Sequence, residues 1–241
     1  MLSILKKELR TFFSSATGYI VIGIFLALTG LLLWIIPGEY NIPDSGYANV
    51  DGLFYIAPWL FLLLCPAITM RLFSEEKQTG TWELLTTKPI SKWAIILGKY
   101  LAGWILVLLS LLPTVTYYLS VSYLAEPVGN VDAGAFWGSF AGLIFLAAVY
   151  VAIGVFSSSL SNNQIVSFVV AVVLSFFMLY GFELIASFFT SGNSIQFFEN
   201  LGIQSHYKSM SRGVIDSRDI VYFFVVSFLF LIITEKKISK N

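Results

Sequence analysis

The sequence predicts an all-α integral membrane protein with six transmembrane helices, and three observations predict it. Of 241 residues, 57% are hydrophobic and only 12% charged, with 22 Phe, 12 Tyr and 6 Trp. Soluble domains carry about 25% charged residues, and a water-soluble fold of this length cannot hide so much apolar surface. Second, the apolar residues fall into six continuous stretches. They run over 19–36, 53–70, 100–124, 136–156, 165–189 and 220–234, near the roughly 20 residues that a helix needs to cross hydrocarbon. Third, the stretches lack the period-two alternation of a membrane β-barrel. A helix satisfies its backbone groups internally, as lipid requires.

Taken in order, residues 1–13 come first. Leu2, Leu5, Leu9 and Phe12 recur at helical spacing, while Lys6, Lys7 and Arg10 take other faces. This predicts an amphipathic helix lying in the interface with its cations toward anionic headgroups. A plain charged leader that sets topology is the other reading. The first span has a longer apolar core than the roughly 7–15 residues of a signal peptide, and Ile35-Ile36-Pro37-Gly38 offers no small-x-small site. An uncleaved span is expected.

Pro58 and Pro66 fall in the second span and Pro113 in the third. Each deletes a backbone donor and kinks its helix unless neighbours compensate. Gly138 and Gly142 form a GxxxG in the fourth span, which permits close approach. The sixth span is short, about 22 Å at the helical rise. Its flanking Arg218, Lys236 and Lys237 can snorkel to lengthen it. The chain 1–241 reads as one membrane domain with two organised loops, 74–88 and 190–219.

Orientation follows from lysine and arginine. Lys6, Lys7 and Arg10 precede span one. Arg71, Lys77, Lys88, Lys92 and Lys99 lie between spans two and three, and Lys236, Lys237 and Lys240 follow span six. That places eleven of the fourteen cations on one side. Lys208, Arg212 and Arg218 occupy the loop after span five. Both termini are therefore expected in the cytoplasm, and 190–219 outside it.

Much chemistry is excluded. The net charge is zero, which gives no field for nucleic acid. Cys65 and His206 are each the only residue of their type, so neither a disulfide within the chain nor a zinc site built on Cys or His pairs is possible. Gly98-Lys99-Tyr100 has no glycine-rich loop before it, and no GxxxxGK[ST], HExxH or GxSxG occurs. The serines at 157–161, and Ser120 and Ser122, have no base beside them and stay inert. No catalytic, cofactor-binding or metal-binding residue is expected. An intramembrane enzyme would need buried ionisable groups facing one another between spans.

The loop between spans two and three is the informative segment. Ser74 can cap a helix with Glu75 and Glu76 in its first turn. Gly80 permits a break, and Trp82, Leu84 and Leu85 then present apolar surface. Ser91 and Trp93 restart a helix at the interface. Residues 74–85 read either as a docking element for a cytoplasmic partner or as a solvated loop resting on lipid. On the other side, Glu183 falls near the end of span five, either an interfacial acid or a substrate-pathway acid. Phe197, Phe198, Leu201 and Ile203 suggest short helices over the outer mouth. His206 among them is a surface residue or a titrating one.

Glu76-Lys77-x-x-Gly80-Thr81-x-Glu83-x-Leu85, followed by Pro89-Ile90-Ser91 and Gly98-Lys99, resembles the signature of ABC-2-type permeases. The amphipathic start, the six spans and the long loop before the last extend the resemblance over the whole chain. Residues 206–219 are similar to the end of the outer loop in the gliding-motility-associated (GldF-type) permease subunits. The permeases associated with nitrous-oxide reductase (NosY-like) share much of the pattern.

The resemblance implies a non-catalytic permease subunit in the bacterial inner membrane. Its partners would be the lipid bilayer, a second permease subunit and a separate ABC ATPase that holds the ATP and Mg. Glu75, Glu76, Lys77, Gly80, Thr81, Trp82, Glu83 and Leu85 would form the coupling helix that touches the ATPase. The expected activity is ATP-driven substrate export. A structural anchor in an envelope motility complex, without net transport, is the alternative.

Overall fold

The structure, a computed structural model, describes residues 1–239; Lys240, counted among the cations above, lies outside them. Among the described residues all regular elements are helical, and six helices are long and apolar enough to cross a membrane.

Helix α1 (Leu2–Ser14) stops at Ser15, whose extended backbone turns the chain into α2 (Ala16–Gly30). The last turn of α2 widens to a π-turn over Leu31–Ile35. A four-residue α3 (Ile42–Ser45) follows, its start capped by Asn41, whose Oδ1 accepts the Asp44 N–H at 3.0 Å. Helices α4 (Asp51–Thr69) and α5 (Arg71–Gln78) form one continuous span joined at Met70. After the turn at Gly80, α6 (Thr81–Thr86) is a short stub. Ser91 then caps α7 (Lys92–Leu111). Pro113 sits in a 3-10 turn that passes the chain to α8 (Val115–Leu124).

Asp132 caps α9 (Ala133–Leu160) and Asn163 caps α10 (Gln164–Phe176). A π-turn at Phe177–Gly181 leads into α11 (Phe182–Ala186). Two short helices, α12 (Gly192–Glu199) and α13 (Ile203–Met210), precede the last span, α14 (Ser217–Ser239).

Helix α9 is the hub. It packs against α4, α7, α10 and α14, and its turns from Leu146 to Val155 are buried throughout. Lipid tails are as apolar as leucine, so spans associate by close packing and polar contacts rather than by escape from water. The small residues supply the closeness. A methyl group placed on Gly154 would lie 2.0 Å from Thr69 Oγ1, and one on Gly103 would lie 3.1 Å from a methyl of Val151. The Gly138/Gly142 pair serves a different partner from a neighbouring span. Gly138 meets the backbone of Gly213, and Gly142 meets Met210, so both admit α13 and its following turn onto the flank of α9.

Pro58 is compensated from the outer loop. Pro58 has no N–H to give to the carbonyl of Phe54, four residues back. That carbonyl instead accepts the hydroxyl of Tyr207 at 2.7 Å. Burial, with Tyr55 nearby, holds the Tyr207 phenol well above its ordinary pKa, so it stays protonated and can donate. The same loop carries His206. Its Nδ1 lies 2.7 Å from Asp219 Oδ1 and its Nε2 lies 3.0 Å from the Asn200 carbonyl, while its ring stacks on Tyr222. It is therefore a strut between α13 and α14 rather than a free surface histidine.

Several span boundaries differ from those the sequence suggests. Span two continues eight residues past Met70, and span three starts at Lys92 rather than near residue 100. Hydropathy stops a helix where charges begin. Here Arg71, Glu76 and Lys99 find partners on neighbouring helices, so the helices run on. The sixth span also extends, to 23 residues, with Lys236 and Lys237 in its last turn, where cations favour the helix dipole.

Candidate functional site

The helix ends at the basic side of the bundle converge on α5 and α6. Helix α1 folds against α7 and α2, α5 packs on α9, and α6 folds back on α5. Close contact with α7 is possible because Gly98 faces Ile4 and the Met1 carbonyl, where a methyl group would sit about 3.0 Å from Ile4 Cβ. Ile4, Glu8 and Phe12 form the buried stripe of α1. Of the apolar residues at helical spacing Phe12 is buried, Leu5 and Leu9 are half-buried and Leu2 is exposed, because the bundle, with a charge in its contact surface, takes the face that carries Ile4 and Glu8.

That charge is Glu8, and its partners define the site. Lys99, fully buried on α7, places Nζ 2.7 Å from Glu8 Oε1 and 2.9 Å from Glu76 Oε2. The contact with Glu76 Oε2 is purely electrostatic, since that oxygen has no aligned donor. Lys99 also donates to the Leu72 carbonyl. Lys7 closes the figure by pairing with Glu76 and, at 3.3 Å, with Glu8. Two ammonium and two carboxylate groups cancel, which is what allows Lys99 and both carboxylates to leave water while the half-exposed Lys7 completes the balance at the rim. Burial by itself would lower the Lys7 ammonium, but the hydrogen bond to Glu76 and the charges of Glu8 and Glu76 outweigh it and hold its pKa above the ordinary value.

A second set of polar contacts fixes the junction between α4 and α5. Ser158 of α9 accepts the N–H groups of Phe73 and Ser74 at 2.9 and 3.2 Å and donates to the Met70 carbonyl at 2.8 Å. Lys77 donates to the Ser159 carbonyl. The expectation that Ser74 caps a new helix is therefore wrong. Ser74 is buried in mid-helix, its hydroxyl bonded back to Met70, because the span continues through it.

The eight residues expected to form one docking helix thus divide. Glu76 is 8% exposed and, with Lys77, turns into the bundle. Glu75 is half-buried. Gly80 takes a left-handed φ of 73°, which a side chain would resist, and so reverses the chain. Beyond it Thr81 and Glu83 are exposed and Leu84 is 67% exposed. Trp82 anchors this stub by setting its ring edge-on to Phe73 at 5.5 Å, with Leu85 half-buried beside it. Lys6 and Arg10 remain exposed on α1.

The four-charge cluster joins ionisable groups, as an enzyme site would, yet each charge is already neutralised by its neighbours. Gly98 and Lys99 are both consumed by packing against α1. No group of three or more metal-ligating side chains occurs among the described residues. At the opposite end, Glu183 pairs with Lys208 at 3.2 Å, both well exposed, beside a cleft of about 150 Å³ that Glu199 and Gln204 also line. Lys99 and Glu8 are the members that sequence reading missed. The usable signal was an acid on the apolar flank of α1 together with a lysine eight residues after the Ser91 that caps α7.

A search of curated proteins finds no match to this chain. A comparison with protein families matches the ABC-2 family transporter protein over residues 2–234, from the first turn of α1 to the end of the last apolar stretch. With six spans and an all-helical bundle in agreement, the chain belongs to the ABC-2 transporter family as a membrane permease component.

Proposed function

We propose that the chain is the permease subunit of an ATP-driven exporter and that α6 is its contact with a separate ATPase subunit. The observation that carries this reading is the contrast across Gly80. On one side α5 is locked into the bundle through Glu76, Lys77 and Ser158. On the other, α6 presents Glu83 and Leu84 outward on a rigid stub pinned by Trp82. An exposed apolar residue with a polar rim suits a groove on a partner. A stub joined through one span to α4, and through the charge cluster to α1 and α7, carries a displacement into three helices at once.

In this reading ATP and Mg are held by the partner, the basic end with both termini faces the cytoplasm of a bacterial inner membrane, and a second permease subunit completes the pathway. Glu183 and Lys208 lie at the outer mouth. The similarity of residues 206–219 to gliding-motility-associated permeases is what supports reading the exporter as one of that subgroup.

The test is copurification with an ABC ATPase encoded beside the gene. Replacing Leu84 by Glu, or Glu83 by Lys, should reduce recovery of the ATPase at least tenfold and abolish stimulation of its ATP hydrolysis. Unchanged recovery with both variants removes α6 as the contact. If a hydrolysis-dead ATPase still supports the cellular process, the chain is an anchor and not an exporter.

A further inference from the structure

A shallow groove of about 220 Å³ runs between α2 and α4 in the basic half of the bundle. Val21, Ile24 and Leu28 form one wall, Leu63 and Ala67 the other, and Phe168 of α10 closes one side. Its lining is almost wholly apolar, and it lies between two helices long and apolar enough to cross a membrane. One helical turn beyond Ala67, toward the basic end, stands Arg71. Its guanidinium carbon lies 4.9 Å from the centre of the Phe12 ring, and Nη1 donates to Ser15 Oγ at 3.1 Å. Nη2 has no acceptor, and among the described residues no carboxylate pairs with this arginine. It is a positive charge, oriented by a serine and an aromatic face, one helical turn beyond the groove's Ala67. Lys99, the fully buried cation of this end, has two carboxylates.

We propose that this groove is a binding site for one anionic phospholipid of the basic-side leaflet, an acyl chain lying between α2 and α4 and the phosphodiester on Arg71. Guanidinium is the side chain best matched to a phosphate, through paired N–H donors. The exposed Lys6 and Arg10 of α1 add attraction for anionic headgroups at the same level. A lipid supplies both halves of what the site lacks, apolar contact along the groove and an acceptor for the unused donors. A free phosphate ion supplies only the second.

The experiment is native mass spectrometry of the full chain, released from detergent after equilibration with phosphatidylglycerol or with phosphatidylcholine of the same chain length. The expected result is one retained phosphatidylglycerol, at least tenfold over phosphatidylcholine. Arg71→Gln should bring that ratio near one, and Arg71→Lys should keep part of it. Ala67→Leu, which fills the groove and leaves the charge, should remove retention of both lipids. Size-exclusion profiles confirm that each variant is folded. Equal retention of the two lipids by the unaltered chain overturns the proposal. So does unaltered preference in Arg71→Gln, displacement of the lipid by inorganic phosphate alone at equal concentration, or a lipid-free dimer whose formation Ala67→Leu blocks.

Discussion

Lys99 Nζ lies 2.7 Å from Glu8 Oε1 and joins residues ninety-one apart in the chain. The pair ties a helix that precedes the first span to the root of the third, and Glu76 brings in the end of the second. Removing Lys99 and two carboxylates from water is costly, so the cluster is poor evidence for added stability but good evidence for a specified arrangement. An amphipathic helix held only by apolar contacts can slide or rotate on the interface. One whose glutamate must meet a buried ammonium has a single register. If α6 is pushed by a partner, this cluster is where the push divides among α1, α5 and α7.

Breaking that arrangement from one side should therefore be worse than removing it. Lys99→Met leaves two buried carboxylates with only the half-exposed Lys7 between them. A loss of about 3–5 kcal/mol is expected, read as a lowered unfolding midpoint in detergent. The triple replacement Glu8→Gln, Glu76→Gln, Lys99→Met should recover at least half of it. Equal damage from the single and triple changes would show that the charges do not act as a unit.

The carbonyl that Pro58 leaves free gives a double-mutant cycle. Tyr207→Phe deprives Phe54 of its only replacement donor and should cost about 1–3 kcal/mol. In a Pro58→Ala background, the new backbone N–H reaches the same carbonyl, and Tyr207→Phe should then cost much less. Additive losses in the cycle would mean that the hydroxyl matters for some other contact.

Close packing of α9 on α4 depends on the absence of one carbon. Gly154→Ala would place its methyl 2.0 Å from Thr69 Oγ1. Overpacking of this kind costs about 1–3 kcal/mol, and Thr69→Ala should return part of it by removing the hydroxyl. A neutral Gly154→Ala, measured by thermal unfolding, would show that the two helices separate easily.

The dependence of α1 docking on pH has a determined sign. The Lys7 pKa is raised in the folded chain, by Glu76 and Glu8 against the opposing effect of burial. Its contribution is therefore fully present below the ordinary lysine value of about 10.4 and is lost as pH climbs through the raised one. Solvent screening keeps that contribution small. Protease cleavage within residues 1–15 should stay slow from neutral pH to about pH 10 and accelerate only in stronger alkali. Lys7→Met should blunt that alkaline acceleration. Release of α1 below pH 9 in the unaltered chain would assign control to another group.

How much of this was legible in the sequence follows from which forces act locally. The spans were readable because continuous apolar runs have one solution in lipid, and the helix start at Ser91 obeys short-range hydrogen bonding. The continuation of α4 through Ser74 was not readable. It depends on Ser158, eighty-four residues away, accepting the Ser74 N–H and replacing the local signal to start a helix. Lys99 likewise looked like a cation marking the membrane boundary, since nothing nearby in sequence neutralises it. Only the fold reveals that Glu8 and Glu76 do. Trp82 and Gly80 lay between these cases: the turn was evident from glycine, while the anchoring of Trp82 on Phe73 needed the structure.

The most direct measurement is site-specific crosslinking from α6. With Cys65 replaced by alanine, a photoreactive thiol reagent on Leu84→Cys should form a covalent adduct with the ABC ATPase in assembled membranes. The same reagent on Tyr47→Cys, at the opposite end of the bundle, should form none. ATP binding should change the yield at Leu84. An adduct from position 47, or none from 84 while the ATPase remains bound, would contradict the assignment of α6 as the point where the motor meets the membrane subunit.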